Sequence, residues 1–72
     1  MTKLPSDIKA DVLVKYLLKE GFKETGRRGS HTHFRYSDGR WTQVAVHQKP
    51  IPQGTLRAIL RQIKIEPREF KI

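Results

Sequence analysis

The sequence predicts an α+β domain of order αβββα, a three-stranded antiparallel sheet with two helices on one of its faces. Three observations predict it. Apolar residues recur at helical spacing near both ends, at Ile8, Val12, Leu13, Tyr16 and Leu17 and again at Leu56, Ile59, Leu60 and Ile63. Between them, residues 31–36 and 41–47 alternate one by one, as half-buried strands do. Glycine-bearing turns separate the alternating stretches.

Taken in order, Ser6 reads as an N-cap, with Pro5 before it and Asp7 in the first turn, where the helix dipole favours negative charge. An amphipathic helix of about 14 residues follows and stops at Gly21, which suits a left-handed C-terminal position. Residues 22–26 are expected to form a short edge strand, and Arg27-Arg28-Gly29-Ser30 a tight basic turn. In the next strand Thr32, Phe34 and Tyr36 share one face, and His31, His33 and Arg35 the other. Ser37-Asp38-Gly39-Arg40 makes a four-residue hairpin connection. In the last strand, residues 41–47, Thr42, Val44 and Val46 point inward, while Trp41, Gln43, Ala45 and His47 point outward. Residues 48–51 form a loop, Pro52 suits the first position of the second helix, and Arg57, Arg61 and Lys64 make a separate stripe on it. Glu66-Pro67 hints at one more short turn, and Phe70 returns to the core.

Seventy-two residues suit a single domain spanning 1–72, with a thin core. No cysteine is present to reinforce it by a disulfide or a thiolate metal site. No apolar run reaches membrane-span length and the N-terminus lacks a signal-peptide core, so a cytoplasmic location is expected. Fifteen Lys and Arg against seven Asp and Glu give a net charge of +8, which favours polyanionic partners. The excess is uneven. Residues 1–22 carry four basic and three acidic side chains, residues 23–48 five and two, and residues 49–72 six and two. The positive field therefore belongs to the middle and the C-terminal part.

Several blocks together carry a family resemblance. They are Lys3-Leu4-Pro5, Leu17 through Gly21-Phe22, Gly29-Ser30-His31 with Phe34 and Asp38-Gly39, Val44-Ala45-Val46-His47, and Gly54 through Gln62. In this order and spacing the chain resembles the HicA toxins, mRNA interferases of toxin–antitoxin pairs. The resemblance implies a double-stranded-RNA-binding-like αβββα fold, metal-independent RNA cleavage with His31 as the catalytic residue, and neutralisation by a HicB antitoxin. One departure is Ala45, where many relatives carry proline.

The residue chemistry agrees with that implication. RNA carries its own nucleophile, the 2′-OH, so cleavage needs proton transfer and charge stabilisation rather than an activated serine or cysteine. Histidine, with an unperturbed pKa of about 6.5, can take or give a proton near neutrality. Gly29 and Ser30 would let backbone and hydroxyl groups approach a phosphate, and Arg27 and Arg28 would clamp it. Ser30 and His47 are candidate supports for catalysis. His33 and Arg35 share the outward set, and Trp41 is a candidate stacking platform for a base. Arg57, Arg61 and Lys64 would track phosphates. Three histidines with no acid at useful spacing do not make a metal site, so neither metal nor cofactor is expected. Two other readings remain open: a non-catalytic RNA-binding module of the same fold, and a protein-interaction domain whose basic surface meets an acidic partner.

Overall fold

A computed structural model describes residues 4–47 and 49–71. Its elements are α1 (Ala10–Lys19), β1 (Lys23–Arg28), β2 (His31–Arg35), β3 (Trp41–Ala45), α2 (Gln53–Gln62) and a 3₁₀ turn at Pro67–Glu69. The three strands form one antiparallel sheet in the order β1-β2-β3, so the αβββα expectation holds, with both helices on one face. Lys3 and Gln48, which the sequence reading placed in the opening block and in the loop before α2, lie outside the described residues.

The first helix begins later than Ser6. Asp7 has φ 61°, a left-handed conformation that no α-helix can run through, and Lys9 is the N-cap without a side-chain cap bond. Tertiary burial overrides the local capping signal here. Leu4 and Ile8 are buried, the Ile51 N–H donates to the Ile8 carbonyl at 2.7 Å, and Gln53 Nε2 donates to the Leu4 carbonyl at 2.8 Å. Residues 4–9 thus form a strap tied to the entry of α2. With the helix phased from Ala10, its buried side is Ala10, Leu13, Tyr16 and Leu17, and Val12 turns out toward solvent.

Both helices close with the same bonding pattern. In α1 the Phe22 N–H reaches the Leu17 carbonyl at 2.9 Å and the Gly21 N–H the Leu18 carbonyl at 3.1 Å, with Gly21 at φ 104°. A Cβ at Gly21 would also press on the Tyr36 ring, 3.0 Å from its Cε1, which adds to the preference for glycine set by the positive φ. In α2 the Ile65 N–H bonds the Leu60 carbonyl and the Lys64 N–H the Arg61 carbonyl, with Lys64 itself at φ 58°. Pro52 is the N-cap of α2 rather than its first helical residue.

The core lies between the helices and the inner sheet face. Leu13 and Leu17 of α1, Phe34 of β2, and Leu56, Leu60 and the adjoining Ile63 are essentially excluded from water. Phe70 returns to it as expected, its ring edge-on to Tyr16 at 4.6 Å. Burial, followed by the Glu20 and Glu69 carboxylates, pushes the Tyr16 phenol up from its ordinary pKa.

Arg40 ties three parts together. Its guanidinium lies 4.6 Å from the Tyr36 ring centre and 5.5 Å from that of Phe22. Nε donates to Asp38 Oδ2 at 2.7 Å, and Nη1 donates to the Ile63 carbonyl at the end of α2 at 2.6 Å. The Tyr36 N–H bonds the Arg40 carbonyl, so the hairpin loop is Ser37-Asp38-Gly39, one residue shorter than the sequence suggested. The Arg40 backbone N–H, and then its side chain, hold the Asp38 carboxyl below its ordinary pKa. A lowered folded-state value stabilises above the ordinary aspartate pKa of about 4, and the effect fades as pH falls through the folded value. By NMR titration Asp38 should therefore ionise at lower pH than a free aspartate, and Arg40→Ala, which keeps the backbone N–H, should move it only part of the way back up.

Thr32 is buried on β2, and its Oγ1 has no hydrogen-bond partner among the described residues. A stranded hydroxyl of this kind costs about 1–3 kcal/mol. Thr32→Val keeps the shape and removes the polar atom, so stability should rise by about 1 kcal/mol. In urea unfolding this would be a higher midpoint at unchanged slope.

Candidate functional site

Arg28 and His31 are the closing pair of the β1–β2 hairpin, joined by Gly29 and Ser30. Gly29 has φ 60° and Ser30 a negative φ, the sign pattern of a type II′ turn that suits a two-residue hairpin. A Cβ built on Gly29 would meet nothing within 4 Å, so the turn backbone is open to a ligand. The turn is thus two residues long, and Arg27 and Arg28 belong to β1, which extends further than the sequence suggested.

Cross-strand partners share a face. Arg28 opposes His31, which in turn opposes Ala45. The next outer row is Gly26, His33 and Gln43, and the third is Lys23, Arg35 and Trp41. Thr32 and Phe34 are buried, so these rows make the opposite, open face, with His31, Arg35 and Trp41 exposed and His33 partly covered. The rows of His31 and Arg35 stand four residues apart, about 13 Å along the strand. Arg27 opposes Thr32 and so leaves from the other face of the ribbon.

The register also sorts the charges. Glu24 opposes Phe34 and lies on the inner side, and Asp38 sits in the far hairpin loop bonded to Arg40. The paired positions of the outer face therefore carry Lys23, Arg28 and Arg35 with no carboxylate among them.

A cavity of about 720 Å³ opens beside this face, between β3 and α2. His31, Gln43 and His47 line it from the sheet side, and Thr55, Arg61 and Gln62 from α2. His31, His47 and Arg61, far apart in sequence, are brought to one concavity that wraps the β3 edge. Arg57 and Lys64 are exposed but do not line it, and Lys64 lies instead near Asp38. β3 ends at Ala45 rather than at residue 47, so Val46, expected to point inward, lies past the strand and is exposed, and His47 stands beyond it. Its ladder continues by one bond, the Val46 N–H to the Ser30 carbonyl at 2.7 Å, which fastens the turn before His31.

Sequence reading did not single out Gln43, Thr55 or Gln62 as site residues. Gln43 carried a signal, being in the outward set of β3. Thr55 and Gln62 carried none, because their place depends on how α2 lies against the sheet edge. Among the described residues no three His, Asp or Glu side chains gather as a metal site, and no helix is long and apolar enough to cross a membrane.

Fold and site define a class: a small basic αβββα domain with a Gly-Ser-His hairpin at one end of an open cationic sheet face. A protein-family model described as the HicA toxin of bacterial toxin-antitoxin matches residues 10–65, more than three quarters of the chain. The chain belongs to the HicA toxin family, whose place in a toxin–antitoxin pair implies an antitoxin partner. A comparison with curated proteins returned no match.

The two adjacent arginines should separate in experiment. Arg28→Ala removes a cation from the His31 face and should lower the slope of log affinity for single-stranded RNA against log salt by about one. Arg27→Ala, on the other face, should leave that slope nearly unchanged.

Proposed function

We propose that this chain is the toxin of a type II toxin–antitoxin pair and acts as a metal-independent endoribonuclease on mRNA, with a HicB-type antitoxin as its inhibitor. The observation that carries the reading is the position of His31. It lies inside the family match, on an open face, across from Arg28 and on the rim of the cavity that also holds His47 and Arg61.

In this reading the scissile phosphate rests over the Gly29-Ser30 turn, against Arg28. The 2′-oxygen attacks phosphorus, the bond from phosphorus to the 5′-oxygen breaks, and the products are a 2′,3′-cyclic phosphate and a 5′-OH. Two protons move: one leaves the 2′-OH and one reaches the departing 5′-oxygen. His31 carries one of these transfers, and His47 or Ser30 is the candidate for supporting the other. Arg35 and Trp41 extend the RNA path along the outer face, with the Trp41 ring, 49% exposed, offering a surface on which a base can stack. His33 lies between the two rows. Arg61 serves phosphate on the helix side, with Arg57 and Lys64 further out. The antitoxin would act by covering the face around His31. An activity on mRNA would be exercised in the cytoplasm.

His31→Ala is the test. Expression of the unaltered chain without antitoxin should arrest growth, and the variant should not. Cleavage of single-stranded RNA by the purified variant should fall by about 10²–10⁴-fold at unchanged thermal stability, while the unaltered protein should cut in EDTA and leave cyclic-phosphate ends. RNA binding without cleavage by the unaltered protein would reduce the reading to a non-catalytic RNA-binding module.

A further inference from the structure

The cavity between β3 and α2 has a chemistry of its own. The bonds Tyr36 N–H to Arg40 carbonyl and Val46 N–H to Ser30 carbonyl fix the alternation of the β2–β3 ladder. Residues 40, 42, 44 and 46 turn their peptide groups toward β2. Trp41, Gln43 and Ala45 turn theirs away, to the free edge, and among the described residues nothing bonds them there. Two of these, Gln43 and Ala45, line the cavity, so free backbone donors and acceptors stand along one wall. Ala45, Pro52, Ala58 and Ile59 supply apolar surface. The Gln62 amide is oriented by the buried Thr42 hydroxyl, which donates to its Oε1 at 2.8 Å, and Nε2 has no partner among the described residues.

A flat apolar face with a hydrogen-bonding rim is what a nucleobase presents, and unstacked bases of single-stranded RNA are read in this way. A volume of about 720 Å³ falls within the range of small-ligand pockets. α2 packs against β3 beside this edge and supplies the opposite wall of the space. His31 stands on its rim, so a base held inside belongs to a nucleotide next to the phosphate His31 faces. We propose that this cavity is a nucleobase subsite, holding a base adjacent to the scissile phosphate, with Gln43 and the β3 edge reading its hydrogen-bonding rim. The proposal rests on the ribonuclease reading and adds where substrate specificity resides.

The test separates the two. Ala58 and Thr55 are both exposed, so Ala58→Phe and Thr55→Tyr fill the cavity without entering the core. The probe is a 2′-O-methyl RNA oligonucleotide, which lacks the attacking hydroxyl and stays whole. Either variant, with unchanged thermal unfolding, should bind it about tenfold or more weakly and show a raised KM on cleavable RNA. Gln43→Ala should change which base flanks the cut sites when product ends are sequenced. Undiminished RNA binding in both filled variants would overturn the subsite and leave the ribonuclease reading standing. The same holds if filling the cavity abolishes only inhibition by the antitoxin, which would assign the space to a protein segment. Failure of the unaltered protein to bind the oligonucleotide would overturn both.

Discussion

The register of the central strand β2 is the constraint on which the rest depends. β2 pairs on both sides, and its alternation puts Thr32 and Phe34 into the core with almost no exposure. A slip of one residue would bury His31, His33 and Arg35 and expose Phe34, so the register is held by the whole apolar interior. The II′ turn at Gly29-Ser30 and the clamp at Arg40 pin the two ends of this strand. His31 is thereby held at one end of an open face, opposite Arg28, without needing any contact of its own.

Charge is distributed by the same register. Of the five cations in the middle third of the chain, Arg40 is committed to aromatic rings and a helix carbonyl, and Arg27 leaves from the other face. Lys23, Arg28 and Arg35 remain on the open side, and the two acids of that stretch are turned elsewhere. The middle third thus presents three cations on one face, beside a largely apolar cavity. In the function proposed above, the phosphate backbone and a base of the substrate would use those two environments side by side.

Much of this was legible in the residues. The four buried positions Leu56, Ile59, Leu60 and Ile63 were plain from their spacing, and the alternation of 31–35 and 41–45 assigned both sheet faces correctly. Gly21 as a helix stop and Phe70 as a returning core residue were equally readable. The start of α1 was not, because Ser6 is a good local cap, while the stretch around Asp7 is tied through the buried Leu4 and Ile8 to the entry of α2, more than forty residues away in sequence. Arg27-Arg28 looked like one basic turn because a dipeptide does not reveal where pairing ends. Because β1 runs on to Arg28, two residues past the expected end, strand alternation sends the two side chains to opposite faces.

Sequence alone determined the element types, the two sheet faces, the excess of positive charge and the Gly-Ser-His block, because each is written in local spacing and composition. Tertiary structure decided that His31, His47, Gln43 and Arg61 share one concavity, and that Arg57 and Lys64 lie outside it. That decision depends on how α2 settles against the free edge of β3. Side chains from different elements meet only once packing has fixed those elements relative to one another, and no local pattern encodes that placement.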